Sequence, residues 1–323
     1  MFFQHFRGET MTVVSAMKFN DKEGAIIADE QSSTQIRKYD IAEKIYSIEK
    51  DDRIVLFGGA GAADFLFNAK NDIDDLVGRR KFDSAKDIAG AISHVMAVLR
   101  KQHIDSYLRA NYHVSLMDLQ RGFKIDPDEG EVKLEKEYKQ NVWNMLNLNK
   151  GLNEFVSGGF LILTAEQSGI NIYVASSARD KVIPCARPYE CIGSGSDMAD
   201  AELSDFFDHL PREDRKSVDD TMGIAQLLHA TERASKVNIG VGGTPYIVVI
   251  KDNNIITPSE NNSRLANEMV KVWKKGCLAE DFVMSRLHSL IYANANYEQI
   301  NKEMWDASKD PERMNMMLRG YKV

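Results

Sequence analysis

Two β-rich runs joined by a tight polar turn open this chain and constrain the fold it can adopt. Residues 13–18 and 25–29 flank Asn20-Asp21-Lys22-Glu23-Gly24. Turn-forming residues ending in a glycine, which takes positive φ at no steric cost, read as the loop of a β-hairpin. Residues 45–48 and 53–57 supply two more strand candidates. Strand signals this closely spaced point to a sheet assembled from hairpins.

The apolar period then changes. Gly58 to Asp64 lead into a helical stretch with Ala62, Phe65, Leu66 and Ala69 at helical spacing. A second helix over 84–108 puts Ile88, Ile92, Val95, Met96 and Leu99 on one face. Strand patterns return at 155–163 and 170–175, separated by Gln167-Ser168-Gly169. Helices follow at 197–210 and 219–235, then a strand at 245–251 with an Asp252-Asn253-Asn254 turn. Strands, two helices, strands, two helices, strand: this order fits an α+β chain folded as a four-layer αββα sandwich of two antiparallel sheets flanked by helices. Residues 109–153 break the pattern, with a turn at Asp126 to Gly130 and a charged run at 131–139 that reads as a solvated helix or a flexible excursion. From residue 263 the pattern is helical. The expected organisation is a 1–11 pro-segment or upstream-start extension, a 12–260 domain with a 109–153 insert, and a 261–323 helical extension.

Composition removes several function classes. A formal net charge of −7 over 323 residues argues against a nucleic-acid binder. Arg79-Arg80-Lys81 and Lys274-Lys275 read as solvated helix ends. Three cysteines without a CxxC pair suggest neither a disulfide framework nor a zinc knuckle, so reduced thiols and a cytoplasmic location are expected. No apolar run approaches a membrane span, and residues 1–9 lack the apolar core of a signal peptide. The seven histidines show no ligand spacing, and neither a metal nor another cofactor is expected. Gly59 to Asp64 mimics a dinucleotide-binding turn, but the third glycine is missing and a hairpin precedes it. Gly193-Ser194-Gly195-Ser196 is not a nucleophile elbow.

One arrangement carries chemistry. Thr12 stands at the outer end of the first strand, Asp29 at the end of the return strand, and Lys44 ahead of the next. A hydroxyl at a potential chain start, with a carboxylate and an ammonium behind it, points to an N-terminal-nucleophile (Ntn) hydrolase. In such an enzyme the free α-amine is the general base. Its reference pKa of about 7.7–8.0 lies closer to working pH than that of a lysine. Thr10 is the alternative nucleophile, since Thr10-Met11-Thr12-Val13 gives Thr-x-Thr-Val after Glu9. With either threonine, the base exists only once the residues upstream are removed.

Met-Thr-Val-Val at 11–14, Gly-Ala-Ile-Ile-Ala-Asp at 24–29, Glu-Lys-Ile at 43–45, Phe-Gly-Gly at 57–59, Ser-Gly-Gly at 157–159 and Ile-Gly-Ser-Gly-Ser at 192–196 come one after another in a recognisable order. Taken together they resemble the proteasome β-subunit family, including simpler bacterial relatives such as the HslV peptidase. That resemblance implies the Ntn hydrolase fold and a threonine peptidase, with Thr12 as nucleophile and Asp29 and Lys44 as its partners. It further implies Gly58 as the oxyanion-binding amide, Ser194 as support for the amino terminus, and Leu56 on the first specificity pocket. It implies peptide or unfolded-protein substrates and self-assembly into a ring or stacked rings, and leaves any ATPase partner unidentified. Asn238 and Val241, ahead of Gly242-Gly243, stand where the family has an aspartate and a serine. A non-proteolytic amidase or acyltransferase, and a silent structural subunit, are the other readings compatible with the same residues.

Overall fold

In the computed structural model, which describes residues 12–29, 32–33, 38–39, 44–126, 128–237 and 241–319, the first hairpin is β1 (Val14–Lys18) and β2 (Glu23–Ala28). A small ribbon of β3 (Ser32–Ser33) and β4 (Lys38–Tyr39) comes next. Then come β5 (Ile45–Lys50) and β6 (Arg53–Gly61), α1 (Ala63–Arg79) and α2 (Ala85–Tyr112). The side chain of Ser84 caps α2 by accepting from the Asp87 amide.

The stretch that broke the sequence pattern is ordered into a satellite. It holds α3 (Leu116–Arg121), β7 (Phe123–Asp126), β8 (Gly130–Lys133), α4 (Lys136–Leu148) and α5 (Lys150–Phe155). A Ser115–Asp118 capping box starts α3, and Gly122 at φ 86° ends it. Leu108, Val114, Leu119, Val142 and Leu146 form the satellite's own small core against the end of α2. The charged run therefore divides between a hairpin strand and a helix. Residue 155 closes a helix, and the strand expected to begin there starts three residues later.

The second half supplies β9 (Gly158–Glu166), β10 (Gly169–Ser176), β11 (Ile183–Pro184) and β12 (Tyr189–Ile192). Then come α6 (Ser196–His209), α7 (Asp220–Val237), β13 (Tyr246–Lys251) and β14 (Asn254–Ile256). Helices α8 (Glu260–Trp273), α9 (Glu280–Tyr292), α10 (Tyr297–Asp306) and α11 (Pro311–Arg319) complete the described chain. No helix among the described residues is long and apolar enough to cross a membrane.

One sheet runs β12-β1-β2-β13-β14, the other β11-β10-β9-β6-β5, and every neighbouring pair is antiparallel. Strand alternation sorts the side chains into layers. Val14, Ala16, Ile26, Leu56, Leu161 and Leu163 pack between the sheets. Phe57, Phe160 and Ile162 face α1 and α2. Val13, Met17, Ile27 and Val249 face α6 and α7 in a core that also takes Leu265, Met269, Leu287 and Met304 from the C-terminal helices. The C-terminal helices thus thicken one flank and share its core.

Candidate active site

The hairpin register brings the chemistry to one end of the sandwich. Val14 pairs with Ala28 and with Ile192, so Thr12, Asp29 and the Gly193–Gly195 turn emerge together. The Val13 carbonyl accepts from the Asp29 amide at 3.2 Å, and the Thr12 carbonyl accepts from Gly195 at 3.2 Å. Gly193 has φ 100°, and a Cβ there would collide with the Thr12 carbonyl. Only glycine lets the turn close on this residue.

Thr12 is 5% exposed and Asp29 1% exposed. The Thr12 hydroxyl donates to Asp29 Oδ1 at 2.7 Å. Lys44 Nζ donates to Thr12 Oγ1 at 2.6 Å and to Asp29 Oδ1 at 3.0 Å. The backbone N–H of Thr12 donates to Ser194 Oγ at 3.2 Å. The structure therefore brings Asp29 and Lys44 together on the Thr12 hydroxyl and Ser194 onto the Thr12 backbone nitrogen. Thr10 and Asn238 lie outside the described residues.

Burial pushes the Asp29 carboxyl above the usual carboxylate range; the Lys44 ammonium, the Val13 amide and the Thr12 hydroxyl oppose this without cancelling it. Two backbone donors on Asp29 have no side-chain signature in the sequence. The Val13 amide donates to Oδ1 at 2.9 Å, and the Gly242 amide reaches Oδ2 at 3.4 Å. Val241, at the position of the family's serine, is buried in the sheet–helix core.

Two expected residues are placed differently. Leu56 has no exposed surface and packs between the sheets, so it stands in the core and not on an open pocket wall. Gly58 lies at the active end, where a Cβ would come 2.7 Å from Val14 Cγ1. However, the Gly59 amide donates to the Lys44 carbonyl at 3.1 Å. Amides alternate sides along an antiparallel strand, so the Gly58 amide faces its partner Leu161 on β9. The Ala62 amide also bonds toward β9, to Ser157 at 3.0 Å. Among the described residues, no group of His, Cys, Asp and Glu is placed to hold a metal ion.

No family model matches the chain, and no curated protein matches it. Among solved structures it is similar to Anbu (ancestral beta-subunit) from Yersinia bercovieri, with a TM-score of 0.55 and 11% identity over 82% of this chain and 94% of that one. It is also similar to the Anbu (Gly-1) mutant from Hyphomicrobium sp. strain MC1, with a TM-score of 0.51 and 10% identity over 83% and 98%. The chain has the αββα Ntn hydrolase fold. Identity this low establishes the fold alone. It corrects the expectation of membership in the proteasome β-subunit and HslV family, since no family model matches and the similar structures are of Anbu. The physical reason is that several of the motifs behind that expectation answer to packing. Gly58 makes room for Val14, Gly158 for Phe65 and Leu66, and Gly193 for the Thr12 carbonyl.

Proposed function

We propose that this chain is an Ntn hydrolase of amide bonds, acting as a threonine peptidase with Thr12 as nucleophile. The observation that carries the reading is the buried hydroxyl held at 2.6 Å from Lys44 and 2.7 Å from Asp29, with its own backbone nitrogen beside Ser194. Once the preceding residue is removed, that nitrogen becomes an α-amine able to take the hydroxyl proton. The Lys44 ammonium stabilises the alkoxide that develops, and Asp29 offsets the charge of Lys44 and fixes its position. The description of one similar structure as an ancestral beta-subunit supports assembly of several copies. The net charge of −7 supports the absence of nucleic-acid partners, and three cysteines without a CxxC pair support a reducing, cytoplasmic location.

The test is hydrolysis of fluorogenic peptidyl amides by the mature protein. Thr12→Ala is expected to lower kcat by at least about a thousandfold, as loss of a nucleophile does elsewhere. Thr12→Ser should retain measurable turnover. Undiminished hydrolysis by Thr12→Ala would overturn the assignment.

A further inference from the structure

The two oxygens of the Asp29 carboxylate are held unequally. Oδ1 accepts from the Thr12 hydroxyl at 2.7 Å, the Val13 amide at 2.9 Å and Lys44 Nζ at 3.0 Å. Among the described residues, Oδ2 accepts only from the Gly242 amide, at 3.4 Å. The torsion that turns a carboxylate is broad, so the donors on its two oxygens decide where each oxygen rests. The Gly242 amide is the donor on the Oδ2 side, and it thereby sets how Oδ1 meets the Thr12 hydroxyl and Lys44. Asp29 is 1% exposed, so bulk solvent is not there to replace this donor, and a buried acceptor left unsatisfied costs stability.

A backbone amide is aimed by the residues beside it. On one side, β13 begins at Tyr246, which pairs with Ala28, and this brings the chain just ahead of β13 alongside Asp29. On the other side stands Val241, which is buried in the core between the first sheet and α6 and α7. A Cβ on Gly195 would come 3.2 Å from Val241 Cγ2 and 3.2 Å from Val13 Cβ. Val241 is therefore wedged against the turn whose Gly195 amide donates to the Thr12 carbonyl. A valine side chain has no hydrogen-bonding atom, so what it does for the site it does by shape. In a close-packed core, removing methyl groups leaves a cavity into which neighbours relax.

We propose that Val241 is a positioning residue. Its wedge against Gly195 aims the Gly242 amide at Asp29 Oδ2, and the carboxylate so fixed holds Lys44 Nζ on the Thr12 hydroxyl. This role rests on the peptidase reading and belongs to a residue that touches none of the reacting atoms.

The test compares Val241→Ala, Val241→Ser and Val241→Ile with Val249→Ala, which removes the same two methyls from the same core. In hydrolysis of fluorogenic peptidyl amides by the mature proteins, kcat is expected to fall at least about tenfold in Val241→Ala and Val241→Ser, with KM unchanged. Val241→Ile, which keeps the wedge, and Val249→Ala should stay within about twofold of the parent. A second readout needs no turnover. In urea titrations, Val241→Ala should lower the midpoint more in the parent than in an Asp29→Asn background, because the two side chains are coupled through the Gly242 amide. Undiminished kcat in Val241→Ser, an equal fall in Val249→Ala, or the same midpoint loss in both backgrounds would overturn the proposal. If the parent hydrolyses no peptide, the peptidase reading falls, and the coupling between Val241 and Asp29 alone decides the role of Val241.

Discussion

Replacing Lys44 by methionine removes the cation and keeps most of the side-chain volume. Asp29 then remains 1% exposed without the ammonium that lies 3.0 Å away in the parent. Breaking a buried pair from one side costs about 3–5 kcal/mol, because the remaining charge stays out of water. The carboxyl can escape by taking a proton, and this caps the loss. Protonating an aspartate with an unfolded reference of about 3.9 costs about 4 kcal/mol at pH 7 and about 1.5 kcal/mol at pH 5. The sign is set by burial, which already raises this carboxyl in the parent. The folded chain holds a proton that the unfolded chain has released, so the penalty is absent below about pH 3.9 and grows as the pH rises to the folded value. Lys44→Met should therefore lose about 3–4 kcal/mol at pH 7 and about 1–1.5 kcal/mol at pH 5. Urea titrations monitored by tryptophan fluorescence measure both. Adding Asp29→Asn should abolish the pH slope. A loss of equal size at pH 5 and pH 7 would refute the claim that an uncompensated Asp29 charge is its source.

Packing and titration give three further outcomes. Gly58→Ala places a methyl 2.7 Å from Val14 Cγ1 and 3.3 Å from Ile26 Cδ1, both buried, and should cost about 1–3 kcal/mol in denaturant titrations; an unchanged midpoint would contradict the packing described. Burial works against the Asp220 carboxylate, but the bond from Lys251 at 2.5 Å outweighs it and holds the carboxyl below its usual range. Its contribution is fully present above about pH 3.9 and lost as the pH falls through the folded value, so Asp220→Asn should lower stability by about 1–2 kcal/mol at pH 7, with a Tm gap that narrows in acid. Burial pushes the Cys185 and Cys191 thiols up to about 12, so iodoacetamide at pH 8 should leave both unmodified until the chain unfolds; rapid labelling of the native protein would show otherwise.

The layers were legible wherever period and turn chemistry agreed. The β-rich runs at 13–18 and 25–29 around their turn and the 3.6-residue period of 84–108 reappear as β1, β2 and α2. The Thr12–Asp29 pair was also legible, because hairpin register alone carries a residue before one strand to a residue after its neighbour; Lys44 joins it from ahead of β5 in the other sheet. Residues 109–155 were harder. The small satellite core draws on residues as distant as Leu108 and Leu146, a contact that no local period announces. Backbone donors left no trace at all: the Gly242 amide would serve Asp29 under any side chain, and the direction of the Gly58 amide depends on a bond made by Gly59. Family membership was misread for a related reason, since glycines required by close packing resemble an inherited motif.

Whether Thr12 is a nucleophile served by its own amine is tested most simply by mapping where an acylating β-lactone attaches to the protein purified from a full-length gene. Intact mass and peptide sequencing read the first residue and the adduct together. The expected result is a chain that begins at Thr12, with one acyl group on Thr12 Oγ1 that is lost in Thr12→Ala. An adduct on another residue, or acylation of Thr12 in a chain still preceded by Met11, would contradict the assignment of the Thr12 amine as the base.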